Sequence, residues 1–384
     1  MRVAMLGWEF PPFVAGGLGV HCYHLTEQLA ARGVRIDFFM PDVKEAPTRV
    51  PWMKLHRVPD PLVGPYGTMG ERAEQVGGFA RAVELYNTAL VERFPTRERF
   101  DVLHAHDWIT ARAGLELSAR TGTPLVFSMH STEWDRSGGF SPQSWISDIE
   151  RAAVRGAQRV IAVSGYTRDQ LIRAYGARAE AVDVVHNGVE AGKYAWSSEG
   201  RDYARRPGMV LFLSRLTPQK GCLQFVWMAE RLLGQGLDAH FALGGTGPLR
   251  RDIEQEVIER RLHHRINLLG YVPEDDVPAL YRRASAYVLP SFSEPFGISA
   301  LEAAAAGLPV VLSRSTGVAE VLPHALQADY WDTELMAEYV KALLEHPTLA
   351  KAMGTAARAV AQRMTWARCA ERTHHVYEAA TAAA

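Results

Sequence analysis

Short apolar runs alternate with longer stretches of three-to-four periodicity along most of this chain. The apolar run Val3 to Leu6 stops at Gly7, which predicts a buried strand over Arg2 to Leu6. Leu18, Cys22, Leu25 and Leu29 then recur at the spacing of one helix face, and Gly33 ends that helix. Val34 to Met40 returns as a strand, so the chain opens on a β-loop-α-β unit, which implies a parallel sheet with right-handed crossovers. Pro41 to Gly78 is rich in Pro and Gly and reads mostly as loop, with one strand near Leu55 to Val58. The alternation resumes with strands over Asp101 to Ala105, Pro124 to Met129, Arg159 to Val163 and Val182 to Val185. Helices fall near Ile109 to Ala119, Ile149 to Gly156 and Thr167 to Tyr175.

Residues 191 to 208 lose all periodicity and carry Gly, Ser, charges and Pro207, which marks a linker. A second alternating series follows, with strands at Met209 to Leu213, His240 to Leu243, Ile266 to Leu269, Ala286 to Leu289 and Val310 to Leu312. Everything beyond residue 333 reads as helix, ending in an amphipathic stretch from Trp366 to Ala380. The expected organisation is therefore α/β, with a first domain over 1–190, a linker over 191–208 and a second domain over 209–365. Ligands of open parallel sheets sit outside the carboxyl ends of the strands, so a cleft between two such sheets is the expected site.

Composition narrows the function classes. A 384-residue chain is too long for one typical domain. Its net charge of −1 gives no basic surface for nucleic acid. The three cysteines, Cys22, Cys222 and Cys369, fit neither a disulfide nor a zinc framework by their spacing, which favours a reducing, cytoplasmic setting. Val3 to Leu6 is too short for a secretion signal, and no apolar run approaches the roughly 20 residues of a membrane span. Peripheral membrane contact through an amphipathic face is compatible with this composition.

The polar features that stand out lie just after strands. Leu289 to Gly307 leaves a strand at Pro290, carries Glu294 on a loop, and enters an Ala/Leu-rich helix bearing Glu302. Backbone N–H groups at the start of that helix, near Gly297 and Ile298, form an anion-attracting site between the two carboxylates. Arg215 and Lys220 emerge at the end of the second domain's first strand, and two cations there suit a diphosphate. Gly244 and Gly245 follow the next strand and allow close approach of a ligand to the main chain. Gly16 and Gly17 precede the first helix and offer amides to an anion, a pattern that ordinary turns also produce. His130 heads a polar loop at a strand end. His104, His106 and Asp107 are candidate metal ligands, but they are near neighbours on one turn with no further ligand in view, so no metal is expected. Trp8, Trp134 and Trp145 suit stacking on sugars, and core packing accounts for them equally well.

Taken together, these motifs resemble the retaining GT-B glycosyltransferases, family 4-like, over essentially the whole length. The most specific is the paired-glutamate stretch Glu294-Pro-Phe-Gly-Ile-Ser-Ala-Leu-Glu302, reinforced by Arg215 with Lys220, by Gly244-Gly-Thr-Gly-Pro248, by His186-Asn-Gly-Val189 and by Gly16-Gly17. The resemblance implies two doubly wound Rossmann-like domains facing a central cleft, with residues 366–384 forming a helix that crosses back to the first domain. It implies that Glu294 binds the hydroxyls of the transferred sugar and Glu302 the nucleotide ribose. Arg215 and Lys220 would stabilise the leaving diphosphate, aided by amides near Gly297 and by the Gly16-Gly17 loop. Gly245 and Ile298 would line the donor site, and His130 would sit near the sugar and the acceptor hydroxyl.

The implied reaction moves a hexose from a UDP- or ADP-sugar to a hydroxyl acceptor, with no metal or other cofactor. Trp8-Glu-Phe-Pro-Pro12, His104-Ala-His-Asp-Trp108 and the His130 loop are similar to the glycogen-synthase-like subset, which implies glucose and an α-glucan acceptor. Val14 departs from that subset, whose starch and glycogen synthases carry Lys two residues before the paired glycines. Mannosyl or other hexosyl transfer in envelope or small-molecule glycoside synthesis is the alternative within the class. A sugar-nucleotide epimerase or a non-catalytic sugar-nucleotide binder are alternatives outside it. A dinucleotide oxidoreductase is disfavoured because the first Gly-rich turn lacks the G-x-G-x-x-G spacing.

Overall fold

The computed structural model describes residues 1–13, 16–43, 46–59, 78–195, 203–204 and 208–383. Val14 and most of the expected linker, residues 196–202 and 205–207, lie outside them. The chain forms two compact units. One comprises Met1–Glu133, Gln143–Asn187 and Trp366–Ala384, and the other Trp134–Pro142 and Gly188–Thr365.

In the first unit the strands are β1 (Arg2–Leu6), β2 (Arg35–Pro41), β3 (Lys54–Val58), β4 (Val102–His106), β5 (Leu125–Met129), β6 (Arg159–Ala162) and β7 (Val182–Val184). They pair in the order β3-β2-β1-β4-β5-β6-β7, and every pairing is parallel. The helices are α1 (Gly17–Ala31), α2 (Phe79–Arg93), α3 (Trp108–Thr121), α4 (Ser144–Gly156) and α5 (Gly165–Tyr175). The central strands β4 and β5 are buried along their whole length, as continuous apolar runs covered on both faces should be. Strand order reverses between β1 and β4, the switch point at which open α/β sheets build their sites.

The second unit repeats this plan with β8 (Gly208–Leu213), β9 (Ala239–Gly244), β10 (Ile266–Gly270), β11 (Ala286–Leu289), β12 (Val310–Ser313) and β13 (Leu326–Ala328). Their order is β10-β9-β8-β11-β12-β13, again all parallel, with the switch between β8 and β11. Its helices are α6 (Cys222–Gly234), α7 (Arg250–Glu259), α8 (Val277–Arg283), α9 (Ile298–Ala305), α10 (Thr333–Glu345) and α11 (Pro347–Ala361). The last helix, α12 (Trp366–Ala382), belongs to the first unit. There Trp366 stacks on His24 of α1 at 5.0 Å, and the Tyr377 hydroxyl lies 2.7 Å from His104 Nδ1.

Four segments differ from the sequence expectation. Helix α2 was not anticipated, because it follows a long Pro/Gly-rich region and its apolar face is short. It buries Val83, Tyr86 and Leu90, and Tyr86 donates its hydroxyl to Gly7 O at 2.8 Å. Strand β13 is three residues long with only Ala328 buried, too little pattern to read. Residues 134–142, expected in the first domain, pack within the second unit. There the Trp134 ring lies 5.1 Å from Phe292 and Asp135 accepts a hydrogen bond from Ser293. Residues 188–195, placed partly in the first domain and partly in the linker, also belong to the second unit, where Tyr194 is buried against Tyr281.

Candidate active site

In the second unit, three loops at the carboxyl ends of β8, β11 and β12 are stitched to one another by backbone hydrogen bonds. Phe292 N–H donates to Gln219 O at 2.9 Å, Glu294 N–H to Ser315 O at 2.9 Å, and Gly317 N–H back to Glu294 O at 2.8 Å. The β8 loop is also tied to the β9 loop, since Leu216 N–H donates to Thr246 O at 2.8 Å. These bonds hold the loops together beside the unit's switch. Gly221 makes the closest of these approaches possible. Its φ is +70°, and a Cβ there would lie 1.9 Å from Pro290 O, so only glycine lets the turn after Lys220 press against the β11 loop.

That contact delivers Lys220 to Glu294, with Nζ 2.5 Å from Oε2. Both side chains are largely buried, at 11% and 9% exposure. A buried charge pair of this kind is held by geometry, and removing one partner strands the other in a poorly solvated site. Arg215, on the same β8 loop, is part-buried, and among the described residues its guanidinium has no hydrogen-bond or ion-pair partner. The loop thus presents one neutralised cation and one uncompensated cation.

Glu294 is followed by Gly297, which has φ +103° and caps α9 without any side chain. A side chain at that position would be strained and would crowd Glu294 Cγ at 3.3 Å. The first amides of α9, including that of the part-exposed Ile298, have no helical acceptor by construction and face outward from the helix start. Glu302 lies one turn further on. Burial pushes its carboxyl up to about 7, against hydrogen bonds from Tyr194 and Tyr281 and the charge of Lys193, which hold it down. The Tyr281 hydroxyl is 2.8 Å from Ser299 O and 3.1 Å from Glu302 Oε2. Gly245 uses its amide internally, donating to Gly270 O at 2.7 Å, so it serves the site through shape and not through a free donor.

The other sequence-predicted residues belong to the first unit. Gly16 caps α1 with extended backbone, and Gly17 is the helix's first residue. His130 closes β5 and sits in a cluster of imidazoles beside the switch of that sheet. Its Nε2 is 3.0 Å from His106 Nδ1, and its ring is 4.4 Å from that of His21. Burial drives the His130 pKa down to about 3 and holds His21, His104 and His106 well below the usual range, so all four imidazoles are neutral near pH 7. Asp107 orients the turn by accepting the His130 N–H at 2.7 Å.

His104 is occupied structurally, between Tyr377 and Ser128 at 2.7 Å each. The histidine that joins His106 and His130 is His21, on α1, which the sequence expectation did not include. Only its alignment with the β4 and β5 ends signals the role, and that alignment is a product of topology. Trp8 is wholly buried in an edge-to-face contact with Tyr86, whereas Trp134 and Trp145 are 36% and 39% exposed. All three cysteines are buried and free.

Two family models match the chain, "Glycosyltransferase Family 4" over residues 15–193 and "Glycosyl transferases group 1" over residues 202–360. An uncharacterized glycosyltransferase of Methanocaldococcus jannaschii is 31% identical over 84% of this chain and 83% of its own length. The glycogen synthase of Mycobacterium tuberculosis is 29% identical over 99% of this chain and 95% of its own. Among solved structures, sucrose-phosphate synthase from Thermosynechococcus elongatus superposes with a TM-score of 0.83 at 22% identity, covering the whole of both chains. That likeness establishes the GT-B fold. With its two matched models, a 31%-identical relative and the paired glutamates on one loop and helix, the chain belongs to the GT-B glycosyltransferases of family 4 and group 1 and is a sugar-transferring enzyme.

Proposed function

We propose that this enzyme moves a hexose, glucose by preference, from a nucleoside diphosphate sugar to a hydroxyl acceptor of the α-glucan type, with retention of anomeric configuration. The observation that carries the reading is the buried Lys220–Glu294 pair, set beside the uncompensated Arg215 and the start of α9. In this reading the diphosphate lies between the two cations and the α9 amides, Glu294 accepts from the sugar hydroxyls, and Glu302 accepts from the ribose hydroxyls. Arrival of the phosphate gives Lys220 a second anion without taking it from Glu294, so donor and side chain are oriented together.

The step is a substitution at the anomeric carbon. The acceptor oxygen forms the new bond as the bond to the diphosphate oxygen breaks, and the acceptor proton passes to that departing oxygen. Negative charge grows on the diphosphate, which in this reading Arg215 and Lys220 would stabilise, and one such preset donor is worth about 2.7–4 kcal/mol. Glu294, engaged with Lys220 and with sugar hydroxyls, is poorly placed to be a covalent nucleophile. Attack from the face of the leaving group is therefore preferred to a double displacement. Similarity to a protein named glycogen synthase supports glucose and glucan.

Two experiments together test the reading. In a thermal-shift screen of UDP, ADP and GDP, a bound nucleotide at a hundred times its Kd should add about 2.7 kcal/mol of stability. Product analysis with the matching sugar nucleotide and a panel of acceptors should then show a new glycoside. A changed sugar nucleotide with no acceptor product would favour an epimerase. No shift with any nucleotide would overturn the donor site.

A further inference from the structure

The imidazole cluster of the first unit has the attributes of a cation site. One ring nitrogen from each of His21, His106 and His130 lies within 4.8 Å of the other two. His21 and His106 are buried at 3% and 0% exposure, and among the described residues His21 Nε2 has no hydrogen-bond partner. Orphaned polar atoms this deep are uncommon, since burial without a partner costs about 1–3 kcal/mol. His21 Nδ1 lies 2.7 Å from Asn187 Oδ1. An amide oxygen can only accept, so Nδ1 carries the proton and Nε2 is left with a bare lone pair. This is the arrangement by which a neighbouring acceptor fixes the tautomer of a metal-binding histidine.

We propose that His21, His106 and His130 bind a divalent transition cation of the Zn²⁺ class through one ring nitrogen each, with Asn187 as the residue that positions His21. A tetrahedral ion at about 2.0–2.1 Å from each ligand holds its nitrogens roughly 3.3 Å apart. The present 3.0 Å between His106 Nδ1 and His130 Nε2 therefore needs only a small displacement. Three neutral imidazoles suit Zn²⁺, Cu²⁺ or Ni²⁺ in preference to Mg²⁺ or Ca²⁺, which demand oxygen. His130 is part-buried, and a fourth position is left for water or a hydroxyl oxygen. The site draws on α1, β4 and the end of β5, three elements that only the folded sheet brings together.

The test titrates Co²⁺ into chelator-treated full-length protein and follows its visible ligand-field bands, with Zn²⁺ as competitor. The expected result is one equivalent bound with the intensity of a four-coordinate site and displaced by Zn²⁺. His21→Asn and His106→Asn should lose that equivalent, while the double change His263→Asn with His264→Asn, an exposed pair far along the sequence, should keep it. Asn187→Ala leaves all three imidazoles in place and should weaken binding about 10–100-fold, which covers the case in which a histidine variant does not fold. Absence of a Co²⁺ spectrum at millimolar metal overturns the proposal. So does a spectrum that survives His21→Asn and His106→Asn in folded protein.

Discussion

Glu302→Gln is the most revealing single substitution in the nucleotide-free enzyme. Glu302 titrates near 7 in the folded protein, against an ordinary 4.5, because burial in the second unit outweighs the help it receives. The groups facing it are Tyr194 and Tyr281, which donate, Lys193, which attracts, and Glu274, which repels and is itself paired with Lys193 at 2.5 Å. A carboxyl with a raised folded pKa contributes stability that is complete below about pH 4.5. That contribution is lost as pH climbs through 7, because the unfolded chain ionises first. Each pH unit in that window is worth about 1.4 kcal/mol, so wild type should lose about 2.5 kcal/mol relative to the Gln variant between about pH 5 and pH 8. Gln keeps an oxygen for the tyrosine hydroxyls and removes only the charge. For a folding unit of this size the difference amounts to about 5–10 °C in Tm. The assay is a pair of thermal unfolding series across that pH range, with no nucleotide present. Wild-type and Glu302→Gln curves that run parallel would show that Glu302 is not ionising against burial, and the reasoning would fail.

Lys220→Ala should destabilise the protein by about 3–5 kcal/mol in urea unfolding, because it leaves the buried Glu294 without its ion-pair partner; Lys220→Met combined with Glu294→Gln should recover most of that loss, and additive effects would contradict the coupling. Gly221→Ala sets a methyl 1.9 Å from Pro290 O at φ +70°, so it should cost more than 1–3 kcal/mol of strain alone and lower transfer with it, as paired unfolding and rate measurements would reveal. Tyr377→Phe strands His104 Nδ1 in the first unit's core and should lower stability by about 1–3 kcal/mol without changing nucleotide binding, read by calorimetry in each case.

Much of the architecture was written in the chain's periodicity. Strands such as Val102–His106 and Leu125–Met129 are buried on both faces, so an unbroken apolar run announces them. What escaped was local structure whose stabilisation comes from elsewhere. Helix α2 follows a region without pattern, and β13 is held by pairing with β12 and not by its own sequence. The segment 134–142 joins the second unit through Trp134, Asp135 and Phe140, polar and aromatic residues with no periodicity to reveal their partners.

The site divides in the same way. Lys220 and Glu294 were legible as candidates because both follow strand ends, where α/β sheets gather function. The length of the Lys220–Glu294 contact was not legible, since it depends on Gly221 pressing against Pro290 across 69 positions of sequence. His21 was hidden for a related reason. On a helix face it looks like packing, and only the order of strands β1, β4 and β5 turns it toward His106 and His130.

The central claim is that the second unit's cations and carboxylates carry a sugar nucleotide through transfer. It is tested most directly by single-turnover transfer of labelled glucose from the sugar nucleotide to a soluble α-glucan, with wild type, Arg215→Ala and Glu294→Gln compared at saturating donor. The account predicts labelled glucan from wild type and a loss of about 10²–10³-fold in the transfer rate for each variant. Transfer at wild-type rates by either folded variant would contradict it.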